Sequence, residues 1–214
     1  MSCKVEKSIL SGHIVCPPNK SYSHRAIFLA SLAGNNSKID NVLFSADTVA
    51  TIEACRKFGA EIEECNTSII VKKSIKMDKN VLEIDAKNSG TTIRIAAGIA
   101  SLFTKEITLT GDSSLQKRPM QPLLDALESM GARCISTDGR APIKITGKIS
   151  GGEVSIPGNF SSQFISSLLI CAPLTEKGIS LIIKENLVSK PYLDATITTM
   201  RNFGVTIQTF IQYK

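Results

Sequence analysis

Three copies of one helix ending recur along the chain: Phe58-Gly59-Ala60, Met130-Gly131-Ala132 and Phe203-Gly204-Val205. Each places a glycine where a helix stops and an apolar run, read as a strand, begins. The glycines lie 72 and 73 residues apart. Apolar helices open near Ser21, Ser89 and Ser161, and second helices near Asp47, Pro119 and Pro191, at closely matching intervals. Agreement at three landmarks predicts one module used three times. That module reads strand, helix, strand, helix, strand, strand, which defines an α/β chain of repeated βαβαββ units.

Taken in order, Met1 to Ile14 reads as a strand-like lead, and Pro17 and Pro18 hold the chain extended before the first helix, Ser21 to Ala33. A strand over Ser37 to Val42, a helix over Asp47 to Phe58 and two strands within Glu61 to Val71 complete the first unit. The second has a strand at Val81 to Asp85, a helix opening at Asn88-Ser89-Gly90-Thr91, and a strand at Glu106 to Thr110. A loop Gly111 to Arg118, a helix from Pro119, in the first helical position, to Met130, and strands near Ala132 to Ser136 and Ile143 to Ile145 follow. The third unit runs from Val154 through helices over Ser161 to Leu174 and Pro191 to Phe203, with a strand at Ile179 to Ile183 and another from Val205. The sequence ends at Phe210-Ile-Gln-Tyr-Lys214, so the third unit is expected to be cut short and the polypeptide to be a fragment.

The three apolar helices share a second property. Each begins with polar residues: Lys20-Ser21-Tyr22-Ser23-His24-Arg25, Asn88-Ser89-Gly90-Thr91 and Ser161-Ser162-Gln163. Helix N-termini attract anions through unpaired N–H groups and the helix dipole. Packing on a pseudo-threefold would bring these ends together, with Lys20, Arg25 and Arg94 beside them, and Gly90 lets a ligand approach the backbone. Lys117-Arg118 and Lys190 precede second helices, where positive charge opposes the dipole unless an anion offsets it. Ser21, Ser161 and Ser162, each taken alone, read first as helix caps, as does Asp47, and Asn88 or Ser89 reads equally well as a cap. Asp47 or Asp112 could neutralise one of Arg25 and Arg94 by a salt bridge. His24 reads as packing rather than as a base, and Tyr192 as core or as a surface for a ring-shaped ligand.

Charge and composition narrow the partner. A net charge of +6 suits an anionic small molecule, while 5% aromatics and no long basic run argue against a nucleic-acid surface. Six scattered cysteines and two histidines lack metal-site spacing, so no metal and no cofactor are expected. Lys4 and Lys7 interrupt any leader and no long apolar segment follows, which predicts a cytoplasmic chain without a membrane partner.

Five stretches then carry a resemblance. Pro18-Asn-Lys-Ser-Tyr-Ser-His-Arg25, Asn88-Ser-Gly-Thr-Thr-Ile-Arg94, Gly111-Asp-Ser-Ser-Leu-Gln-Lys-Arg-Pro-Met120, Ser161-Ser-Gln-Phe164 and Leu187-Val-Ser-Lys-Pro-Tyr192 closely resemble the EPSP synthase (3-phosphoshikimate 1-carboxyvinyltransferase) family. The resemblance implies an inside-out α/β barrel of two lobes, each with three βαβαββ units around buried parallel helices. It implies transfer of the enolpyruvyl group from phosphoenolpyruvate to the 5-hydroxyl of shikimate 3-phosphate in aromatic amino acid and chorismate biosynthesis. Lys20 would contact both substrates and act catalytically. Ser21, Arg25, Ser161, Ser162, Gln163, Ser189 and Tyr192 would hold shikimate 3-phosphate. Asn88, Gly90, Arg118 and Gln163 would serve phosphoenolpyruvate.

Family members are about twice as long, and their acid–base groups come mainly from the C-terminal lobe. The expectation is therefore a substrate-binding lobe over residues 14–214, with repeats at about 14–75, 76–148 and 149–214. Residues 1–13 would be a lead strand belonging to the other, absent lobe. Alone, such a chain would be catalytically incomplete. Three alternatives stay open: a fragment of the sister enzyme acting on UDP-N-acetylglucosamine, a non-catalytic module binding phosphate or RNA ends, and a half-protein that acts only with a separate C-terminal lobe. The loop Gly111 to Arg118 lacks the cysteine usual in the sister enzyme.

Overall fold

A computed structural model of the chain describes residues 2–76 and 82–209. The first group of elements is α1 (Lys20–Leu32), β1 (Ser37–Ile39), α2 (Ala46–Lys57), β2 (Glu61–Cys65) and β3 (Ser68–Lys73). The second is β4 (Leu82–Asp85), α3 (Gly90–Ala100), β5 (Ile107–Thr110), α4 (Gln121–Ser129), β6 (Arg133–Thr137) and β7 (Arg140–Thr146). The third is β8 (Gly152–Pro157), α5 (Ser162–Cys171), β9 (Ile179–Lys184) and α6 (Lys190–Asn202).

Each group makes its own sheet. The second is the fullest, with order β4-β5-β7-β6, a parallel β4–β5 pair and an antiparallel β6–β7 hairpin. The first sheet, β1-β3-β2, repeats the hairpin, and the third, β8-β9, repeats the parallel pair. The repeated glycines end their helices alike. Gly59, Gly131 and Gly204 have φ of +104°, +111° and +79°, which a side chain disfavours. In each, the next residue's N–H reaches back to a carbonyl of the last helical turn: Ala60 to Cys55, Ala132 to Leu127 and Val205 to Met200.

Three expectations need correction. Residues 2–19 form no strand, and Val5, Ile9, Leu10, Ile14 and Val15 are exposed. A strand exists only by pairing, and no strand among the described residues pairs with this stretch. The strand expected from Val205 is absent over 205–209. Its counterparts β2 and β6 pair only with the hairpin strand that follows them, and Phe210 to Lys214, like Met1 and Val81, lie outside the described residues. Pro119 does not begin α4; that helix starts two residues later with Met120 at its cap and Pro122 in its first turn.

The core explains why α1, α3 and α5 lack a polar face. Within α3 only Thr91 and Arg94 escape full burial. Small residues Ala96, Ala97, Gly98 and Ala100 let it lie tightly on α5, where a Cβ at Gly98 would meet the Ser167 carbonyl oxygen at 3.1 Å. Two polar relays cross this apolar interior. His24 Nδ1 lies 2.7 Å from Thr51 Oγ1, which lies 2.7 Å from Thr92 Oγ1, tying α1, α2 and α3 together. Arg25 does the same for α1, α5 and α6. These ties fix the helix ends that build the site.

Candidate anion-binding site

Five of the six helices begin around one cleft of about 510 Å³, and the loop before the sixth, α4, reaches it through Arg118. Lys20, Ser21 and Arg25 enter from α1, Asp47 from the first turn of α2, and Gly90, Thr91 and Arg94 from α3. Arg118 stands just before α4, Ser161, Ser162 and Gln163 open α5, and Ser189 and Tyr192 open α6. Every residue the sequence singled out for substrate binding lines this one cleft, Asn88 included.

The local structure distinguishes caps from free groups. Asn19, not Ser21, caps α1, its side chain accepting from the Tyr22 N–H at 3.1 Å. Ser89 caps α3 and Ser161 caps α5, by bonds from the Thr92 and Gln163 N–H groups at 3.2 Å each. Asp47 is not a cap either; Ser45 fills that role with Thr48 in a capping box. The hydroxyls of Ser21, Ser162 and Ser189 make no side-chain hydrogen bond among the described residues, although Ser162 is buried. Three unspent hydroxyls on α1, α5 and α6 thus face one space. Ser189 reaches it through a left-handed backbone, φ +60°.

The charges are arranged with equal economy. Lys20 Nζ donates to Asp47 at 2.6 Å, and Arg118 donates to Asn88 Oδ1 at 2.7 Å, whose amide donates in turn to Asp112 at 2.7 Å. Neither Asp47 nor Asp112 pairs with Arg25 or Arg94, so that simple neutralisation is not the arrangement found. Arg25 is 1% exposed and gives its protons to Thr196 at 2.6 Å, the Ser21 carbonyl at 2.9 Å, Ser166 at 3.0 Å and the Tyr192 carbonyl at 3.1 Å. Burial lowers its pKa to about 10, which leaves it a cation at neutral pH. Arg94 donates to Gln163 and lies over the Phe164 ring; burial first, then Arg118, lowers its pKa to about 10. Among the described residues, the cleft lining sets the single carboxylate of Asp47 against Lys20, Arg25, Arg94 and Arg118.

Such a site can hold a small ligand with several negative charges. Helix N-termini, guanidinium groups and free hydroxyls converge on it, and the fixed cationic excess is costly without an anion. A second cleft of similar volume, between α4 and β8, is lined by Asp125, Glu153 and Glu185 with Lys184, the wrong sign for such a ligand. Lys117 and Lys190, each of which alone reads as a solvated charge, are exposed and do not line the cationic cleft. His24 does not line it either and packs behind it. Two residues escaped notice in the sequence: Phe160, 56% exposed, and Val188, 39% exposed, form an apolar rim with Tyr192. Their signal was an apolar residue placed directly before a site serine in both loops.

Among the described residues no cluster of side chains fit for a metal occurs, and no helix is long and apolar enough to cross a membrane.

The fold and the cleft together define a repeated α/β lobe built around a cationic cavity. Solved structures of EPSP synthase from Acinetobacter baumannii share this fold, with a TM-score of 0.80 and 30% identity over 93% of the chain and 45% of theirs. The chain belongs to the EPSP synthase (3-phosphoshikimate 1-carboxyvinyltransferase) family, whose model matches residues 5–213. It is 78% identical over 214 residues to the 3-phosphoshikimate 1-carboxyvinyltransferase of Nitrosopumilus maritimus, covering all of this chain and 51% of that protein. The enzyme of the same name from Methanobrevibacter smithii is 46% identical over 213 residues, 97% of this chain and 49% of its own length. The chain spans about half the length of the curated relatives it matches.

Proposed function

We propose that this chain is the N-terminal, shikimate 3-phosphate-binding half of a 3-phosphoshikimate 1-carboxyvinyltransferase. The observation that carries this reading is the gathering of the expected substrate-binding residues, drawn from all five motifs, around one cationic cleft in a member of this family. In the proposed reaction the 5-oxygen of shikimate 3-phosphate bonds to the enol carbon of phosphoenolpyruvate, the bond from that carbon to the phosphate oxygen breaks, and phosphate leaves. Both substrates are phosphorylated carboxylates, which suits the cationic excess described above. Ser21, Arg25, Ser161, Ser162 and Ser189 hold shikimate 3-phosphate in this proposal, with Tyr192 against its ring. Asn88, Gly90 and Arg118 serve phosphoenolpyruvate, Gln163 lies between the two, and Lys20 touches both.

The hydroxyl must lose a proton and the enol methylene must transiently gain one, so acid–base groups are required between the substrates. The one carboxylate lining the cleft among the described residues, Asp47, is committed to Lys20 at 2.6 Å. This supports a second lobe as the source of those groups, with residues 1–13 serving that lobe, in a cytoplasmic enzyme. The chain alone is then expected to bind shikimate 3-phosphate and to release no phosphate from phosphoenolpyruvate. Turnover by the 214-residue chain at rates normal for an enzyme would overturn the half-site proposal.

A further inference from the structure

Gln163 and Arg94 reach the cleft from different helices, and their contact decides which end of the Gln163 carboxamide a ligand meets. A guanidinium carries donors only. Gln163 Oε1 accepts from Arg94 Nη1, so Nε2 is turned away, where it donates to Thr91 Oγ1 at 2.9 Å. Nε2 has a second N–H, and no hydrogen bond to an acceptor occupies it among the described residues. Arg94 is itself held in place. Its guanidinium carbon sits 5.2 Å from the centre of the Phe164 ring, its Nε is buried without a partner, and it makes no ion pair among the described residues. α3 and α5 are locked beside this contact by the Ser167 hydroxyl, which donates to the Arg94 carbonyl at 2.7 Å.

We infer that Arg94 is a positioning residue that occupies Gln163 Oε1 and so leaves the free N–H of Nε2 as the group this carboxamide offers a ligand oxyanion. The reversed amide would set a carbonyl oxygen against a carboxylate or phosphate and forfeit a charge-assisted bond. The identity of the oxyanion rests on the proposed function; the orientation of the amide does not.

The test separates the two. In the ¹⁵N-labelled 214-residue chain, the side-chain amide of Gln163 is expected to give two well-separated, slowly exchanging proton resonances. Arg94→Met keeps an unbranched apolar stem but removes the donors, and should collapse the pair toward the positions of a free amide. Arg94→Lys, which retains a donor, should keep them apart. An unchanged Gln163 pair in Arg94→Met would overturn the inference. Should that variant not fold, Gln163→Glu reads the contact from the other side. Its new carboxyl should titrate well below the ordinary value of about 4.3, and a normal titration would equally overturn the inference. In Gln163→Glu the donor becomes an acceptor, and affinity for shikimate 3-phosphate or phosphoenolpyruvate should fall roughly ten- to a hundredfold. A locked amide in a wild-type chain that binds neither ligand would sink the proposed function and support the positioning role.

Discussion

At the scale of single residues, the site is a set of groups separated by what they have already spent. Arg25 uses its donors on protein acceptors, whereas Ser21, Ser162 and Ser189 keep hydroxyls in reserve. Replacing Arg25 would therefore strand the acceptors of α6 as well as weaken a site, and the serines are the cleaner probes. Gly90 is the tightest point. A Cβ there would lie 2.9 Å from Arg118 Nη1, 3.3 Å from Arg94 Nη1 and 3.7 Å from Gln163 Oε1. These are flexible side-chain ends, so the fold yields easily and the gain in helix propensity, about 1 kcal/mol, offsets the strain. Gly90→Ala should leave the melting temperature unchanged or raised, while phosphoenolpyruvate affinity drops roughly tenfold or more as Arg118 is displaced. Loss of stability with affinity intact, measured by thermal unfolding and titration, would contradict this. His24 makes a prediction of another kind. Burial, with Lys20 and Arg25 adding to it and Asp47 opposing, lowers its pKa from 6.5 to about 4. The folded chain then binds fewer protons than the unfolded chain between those values, so stability rises with pH. The contribution is complete above about pH 6.5 and lost as pH falls toward 4, about 3 kcal/mol in all. His24→Gln should flatten that part of the stability profile relative to wild type; identical profiles would refute the role. The polar cleft residues were legible at or just before helix starts, whereas Phe160 and Val188 were not. The relays behind them were not, because Thr51, Thr92, Ser166 and Thr196 look like ordinary helix residues until three helices meet.

At the scale of elements, the glycine-terminated second helix is the repeated device. It let the sequence locate the helices and most strands, because a C-terminal glycine, an apolar stripe and a fixed interval are all local signals. The lead strand and the strand after Gly204 failed for one reason: a strand needs a partner, and sequence pattern does not say whether one is present. The same glycines are unequal in surroundings. A Cβ at Gly204 meets nothing within 4 Å among the described residues, whereas at Gly59 it would fall 2.5 Å from the Lys76 carbonyl oxygen, a backbone atom that does not swing aside. Gly204→Ala should cost about 1 kcal/mol from its positive φ alone, and Gly59→Ala about 3 kcal/mol or more. Urea unfolding of the two variants checks this, and equal costs would mean that the local packing at Lys76 is not as described.

At the scale of the whole molecule, three sheets surround helices whose N-termini point at one cavity, and the chain's positive balance is concentrated there by four basic side chains against one acid. The repeat made this architecture readable in advance; the sharing of Arg25 and Gln163 between units was not, because it depends on how the units close on one another. The central claim is that this lobe alone recognises the phosphate and carboxylate of shikimate 3-phosphate. Calorimetric titration of the 214-residue chain with shikimate 3-phosphate, with shikimate as the control, tests it most directly. Binding should be saturable, require the phosphate, weaken with added salt and fall roughly tenfold in Ser189→Ala and in Ser162→Ala. Absence of binding by a folded chain, or equal binding of shikimate, would contradict it.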